Sequence, residues 1–124
     1  MNASDTGTRG TGARCEDIAC AHLASAGLTL VERNFNCRYG EIDLIMRASD
    51  GTVVFVEVRR RASAGFGGAA ASVGATKQRR IVFAARHYLL RLRTPPPCRF
   101  DVVLVDTSEG KSAVEWLKAA FDAM

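Results

Sequence analysis

Two β-branched, apolar runs, 41–48 (EIDLIMRA) and 52–59 (TVVFVEVR), stand on either side of Ser49-Asp50-Gly51. Runs of this length separated by an Asp-Gly turn predict a β-hairpin. A hairpin folded about Asp50 sets Ile45 opposite Phe55, Ile42 opposite Val58 and Asp43 opposite Glu57. Directly opposed side chains sit about 4.5–5.5 Å apart at Cβ, so this register presses two carboxylates together where like charges repel. A slip by one residue would send them to opposite faces. By alternation, Arg59 shares the face of Glu57 and Glu41 shares that of Asp43.

The rest of the chain supplies cover for that hairpin. At 124 residues it is the size of one compact domain and buries enough surface to fold without metal or disulfides. Residues 1–10 are small and polar and are expected to be a disordered lead-in, with a single domain over 11–124. Cys15, Ile18, Ala19, Leu23 and Ala26 recur at helical spacing, and Gly27 ends that helix. Residues 28–36 predict a strand, and Asn36–Gly40 a turn. A second helix is predicted from Thr76 to Arg93, closed by Pro95-Pro96-Pro97. Residues 99–106 predict a fourth strand, and Ser112 to Phe121 a short amphipathic helix. The expected order is αβββαβα, a mixed α/β fold in which the third and fourth strands run parallel. Residues 62–75 are Ala-, Gly- and Ser-rich, too long for a plain connection. Gly65-Phe66-Gly67-Gly68 lacks the Walker lysine and suits either a flap over a polynucleotide or a flexible loop.

The net charge of +4 hides an asymmetry. No acid lies between Glu57 and Asp101, an interval holding ten of the seventeen basic residues; all thirteen acids share the remainder with the other seven. Fourteen of the seventeen are arginine, whose fork matches phosphate oxygens. Arg60, Arg61, Lys77, Arg79 and Arg80 are therefore candidate nucleic-acid contacts, a solvated helix face being the alternative. No apolar stretch approaches the roughly 20 residues of a membrane span, and residues 1–15 have no secretory apolar segment. Cys15, Cys20, Cys37 and Cys98 form no CxxC pair, and His22 and His87 are far apart. Reduced thiols in a cytoplasm are expected, with no tetrahedral zinc. The two histidines read as packing or surface groups, and Trp116 as a core or partner contact.

Two facing carboxylates must be neutralised. Arginine is one solution; a hard divalent cation, preferring carboxylate oxygens and completing its shell with substrate phosphate, is the other. The second reconciles the two halves of the charge: arginines hold phosphates while carboxylates hold the ion.

The strings Gly40-Glu41-Ile42-Asp43-Leu44-Ile45 and Val54-Phe55-Val56-Glu57-Val58-Arg59-Arg60-Arg61 resemble the YraN family of small bacterial proteins. Further matches are Asn34-Phe35, Phe66-Gly67, Ser72-Val73, Lys77 and Arg99-Phe100-Asp101-Val102-Val103. That family is similar to the restriction-endonuclease-like, PD-(D/E)xK, superfamily and particularly to archaeal Holliday-junction resolvases. The resemblance implies an αβββαβ core, followed here by the short C-terminal helix. It implies a Mg²⁺- or Mn²⁺-dependent endonuclease acting on DNA ahead of RNA, at branched or repair intermediates, with a homodimer open. Asp43 and Glu57 match the motif acids, both metal ligands, and Glu16 matches an N-terminal glutamate that helps bind the ion. Read without the resemblance, Glu16 simply favours the helix dipole. The motif lysine falls two positions after Glu57, where this chain has Arg59. Arginine supplies positive charge but stays protonated and is no general base. A catalytically inactive nucleic-acid-binding module is therefore the alternative, with Lys77 a candidate substitute for the missing lysine. Asp101 reads as structural, pairing with Arg99, and Glu41 as either a neighbour of the site or a structural ion pair.

Overall fold

A computed structural model describes residues 8–61, 73–107 and 112–123, with side chains from Gly12 onward. Helix α1 spans Thr8–Ser25, beginning inside the segment expected as a lead-in. Cys15, Ala19 and Leu23 repeat every four residues and bury one stripe of it. Gly27 closes the helix at φ 102°. Its N–H donates to the Ala24 carbonyl and that of Leu28 to the Leu23 carbonyl, a Schellman closure that needs a left-handed residue.

Strands β1 (Thr29–Cys37), β2 (Gly40–Arg47), β3 (Val53–Arg60), β4 (Cys98–Asp106) and β5 (Ala113–Phe121) form one sheet in that order. Helix α2, Ala75–Leu89, joins β3 to β4, and those two strands run parallel, as expected. All other neighbours are antiparallel. Leu44, Met46, Val54, Val56, Val103 and Val105 pack with α1. Ile45, Phe55, Phe100, Val102 and Leu104 pack with Ile81, Ala84, Ala85 and Tyr88 of α2 on the other face. Burial on both faces is why the central strands read as unbroken apolar runs. Among the described residues no helix is long and apolar enough to cross a membrane. The glycine-rich stretch 62–72 lies outside the described residues.

Two expectations are corrected. The helix expected over Ser112–Phe121 is strand β5. Val114, Trp116, Leu117 and Phe121 fit a helical stripe and a bulged strand alike. The deciding partner is β4, whose outer edge would otherwise present a row of unpaired backbone N–H and C=O groups. Val114 and Trp116 join the α1 layer, Leu117 faces the α2 layer by ordinary alternation, and beyond a bulge opposite Asp101 Phe121 pairs with Phe100 on that same layer. The second helix stops at Leu89, not Arg93. The chain must turn there to bring Pro97 to β3, where its carbonyl accepts the Val53 N–H at 2.9 Å, and residues before proline leave the helical region.

Gly40 stands where the α2 backbone closely approaches the sheet. A Cβ at that position would lie 2.6 Å from the Arg80 carbonyl oxygen. Backbone cannot swing away as a side-chain tip can, so Gly40→Ala is expected to cost about 1–3 kcal/mol. A lowered urea midpoint with an unchanged m value would register it.

Candidate functional site

The hairpin has the expected register: Leu44 faces Val56, Ile45 faces Phe55, Met46 faces Val54 and Arg47 faces Val53. Regular pairing ends at Leu44, and the alternation of β2 reverses at the next residue, Asp43. Ile42 packs with Phe35 in the α2 layer, whereas Leu44 packs in the α1 layer. Pairing with β1 continues on both sides of the reversal, Arg33 with Leu44 and Phe35 with Ile42. Between those two β1 residues, Asn34 adopts φ 53°, a conformation asparagine tolerates better than most residues. Asp43 occupies the break, and its Oδ2 accepts the Val58 N–H at 2.8 Å.

Glu57 is 7 % exposed, between Val56 and Val58 that pack toward α1, so its side chain faces α2. From the first turn of that helix Lys77 brings Nζ to 3.5 Å from Glu57 Oε2. The Glu57 carboxylate lies near enough across the strands for its charge to act on Asp43. Burial, and next the Glu57 charge, push the Asp43 carboxyl up to about 7 against the opposing pull of the Val58 N–H; the nearby Glu16 charge adds to the rise. One lysine thus leaves the acid pair incompletely neutralised.

Glu16 does not join the pair. Arg33 holds it through Nη2 at 3.3 Å and holds Asp17 through Nη1 at 2.6 Å. Among the described residues no three His, Cys, Asp or Glu side chains converge tightly enough for a complete protein shell. The arrangement is a neighbouring pair with a third acid, tethered to Arg33, whose charge reaches Asp43. Such a donor set suits an octahedral ion that takes one or two carboxylates from protein and the rest from water and phosphate.

The expected cations divide. Arg59 is partly buried and by alternation shares the α2 side with Glu57, while Arg60 is exposed and its charge is felt at Cys15 of α1. Arg61 is drawn away from the site by Glu115 of β5. Arg79 and Arg80 are exposed on α2. Glu41 is exposed opposite Asn36; the reversal at Asp43 removes the shared face that alternation predicts. It lines a cleft with Lys77 and Arg80 instead. Tertiary pairing also explains the charge asymmetry in part, since Arg61, Lys77, Arg91 and Arg99 of the acid-free interval meet Glu115, Glu57, Glu32 and Asp101. Sequence reasoning had no signal for the Lys77–Glu57 contact beyond the lysine's place at the head of a helix.

A family model described as "Uncharacterised protein family UPF0102" matches residues 15–105. A UPF0102 protein of Paracidovorax citrulli (strain AAC00-1) is 61% identical over 124 residues, covering 98% of this chain and 89% of the relative. One from Albidiferax ferrireducens is 60% identical over 115 residues, covering 90% of this chain and 87% of its own. One from Cupriavidus taiwanensis is 60% identical over 112 residues, covering 90% and 82%.

Proposed function

The chain belongs to the UPF0102 family, and from that footing we propose that it is a divalent-metal-dependent nuclease of the restriction-endonuclease-like kind, acting on DNA at branched or repair intermediates. The observation that carries this reading is the approach of half-buried Asp43 to buried Glu57, with the Asp43 carboxyl held up to about 7 by burial and the neighbouring charge. The order α1-β1-β2-β3-α2-β4 supports it, being that of the αβββαβ core the resemblance implies.

Asp43 and Glu57 would hold Mg²⁺ or Mn²⁺, and Glu16, whose charge reaches Asp43, would assist only on release from Arg33. When bound, the ion supplies Lewis-acid stabilisation of the phosphate undergoing attack. Arg59 adds a fixed positive charge for the negative charge developing on phosphorus oxygens, and its permanent protonation bars it from taking a proton. Lys77 offers a second cation on the same side of the sheet. Arg60, Arg79 and Arg80 supply exposed charge for backbone phosphates, contacts that position DNA without reading its sequence.

Arg59 in the lysine position favours a second reading, a binding module of the same fold that grips DNA without cutting. Incubating the protein with branched and linear DNA plus Mn²⁺, beside a Glu57→Ala control, tests both. Cleavage by the native chain and not by the control is the expected result. Equal cleavage by both would point to a contaminating nuclease and overturn the assignment. Cleavage by Arg59→Lys alone would establish the binding module, and absence of DNA binding at low salt would end both readings. Binding is expected to weaken steeply with salt as phosphate neutralisation releases counterions.

A further inference from the structure

The outer side of α2 carries a second cluster that the acid pair does not use. Tyr39, in the β1–β2 turn, is 50% exposed, Phe83 40% and Leu90 82%. The Tyr39 ring meets Phe83 at 6.2 Å and His87 at 6.3 Å. The Arg38 guanidinium lies 5.8 Å from the centre of Tyr39, and that of Arg86 lies 5.8 Å from the centre of Phe83. These rings and Leu90 line a shallow cleft of about 340 Å³. Exposed apolar residues are ordinary when scattered singly; several gathered around one cleft mark a binding surface.

The cluster is continuous with the acid pair. Lys77, Arg80, Phe83 and His87 fall three or four residues apart and so share one face of α2. They span roughly 15 Å at 1.5 Å per residue. At one end Lys77 touches Glu57, and with Arg80, Gly40 and Glu41 it borders a cleft of about 280 Å³. Tyr39, next to Gly40, begins the aromatic end. Cations therefore precede aromatic rings along a single track leading away from the carboxylates. The arginines beside those rings give the aromatic end positive charge, complementary to phosphate; Asp122 borders a neighbouring groove and Glu41 the cationic end.

We propose that a single DNA strand lies along this face of α2, its phosphates on Lys77 and Arg80 and an unpaired base stacked on Tyr39 and Phe83. The inference rests on the nuclease reading and deepens it by naming the substrate class as DNA with unpaired bases beside the scissile phosphate. Flat π faces accept any base, which gives single-strand preference without sequence preference.

Fluorescence anisotropy in metal-free buffer, with an oligo-dT strand and an abasic strand of equal length, reads the stacking directly. The native protein is expected to bind the oligo-dT strand about tenfold or more tighter than the abasic one. Tyr39→Ala combined with Phe83→Ala is expected to erase that difference while leaving abasic binding unchanged, and Tyr39→Phe to retain it. Equal binding of the two strands by native protein would overturn the stacking platform and leave the nuclease reading intact. Loss of all strand binding at low salt would overturn both. A change in sedimentation with the double variant, without a change in strand affinity, would identify the cluster as a protein interface and sink the proposal.

Discussion

Asp43→Asn is expected to make the metal-free protein more stable above neutral pH, by about 2 kcal/mol, although it alters a half-buried residue of the candidate site. Burial and the neighbouring Glu57 charge raise the Asp43 carboxyl from 3.8 to about 7. The folded chain therefore holds this proton more tightly than the unfolded chain does. Its contribution to stability is complete below pH 3.8 and is lost as pH rises through about 7. Asparagine carries no charge to desolvate, and its carbonyl can still accept the Val58 N–H. Urea unfolding in EDTA at mildly acidic and mildly alkaline pH would show the slope in the native protein and its loss in the variant. An Asp43→Asn protein less stable than native at alkaline pH would refute the crowding of the two acids. Mn²⁺ is expected to reverse the ranking by raising the native melting temperature and not that of the variant, since a ligand that binds only the folded state stabilises it.

Asp101→Ala is expected to cost about 3 kcal/mol or more, the largest loss among these substitutions. Asp101 is fully buried, and its two oxygens receive donors from both β4 and β5. Arg99 Nε donates to both oxygens at 3.1 and 3.2 Å, Trp116 Nε1 donates at 2.8 Å, and the Ala119 N–H donates at 2.9 Å. Ala119 takes φ 51° in the bulge opposite Asp101, an unfavourable conformation for alanine that the carboxylate helps to hold. Removing the acceptor leaves an indole N–H, a backbone N–H and a guanidinium unsatisfied at once. Guanidinium unfolding measures the loss, and near-ultraviolet dichroism of Trp116, the single tryptophan, reports whether β5 stays docked. A loss below about 1 kcal/mol would mean that apolar packing alone anchors the last strand.

Much of the architecture was present in local pattern. The Asp-Gly turn and the alternation beyond it determined the hairpin register from Leu44 to Arg47, and a helix between two apolar strands determined that β3 and β4 run parallel. The expected pairing of Asp43 with Glu57 lies beyond Leu44, where the regular ladder ends. These features depend on residues adjacent in sequence or related by one short turn, where geometry leaves few choices. Only the tertiary structure decided the rest. Residues 113–121 became a strand because β4 needed an edge partner, a demand no nine-residue pattern contains. The reversal at Asp43, the reach of Lys77 to Glu57 and the diversion of Arg61 to Glu115 each depend on a partner elsewhere in the fold. Strand pattern is set by short-range sterics, whereas the partner a buried charge finds is set by which elements pack around it.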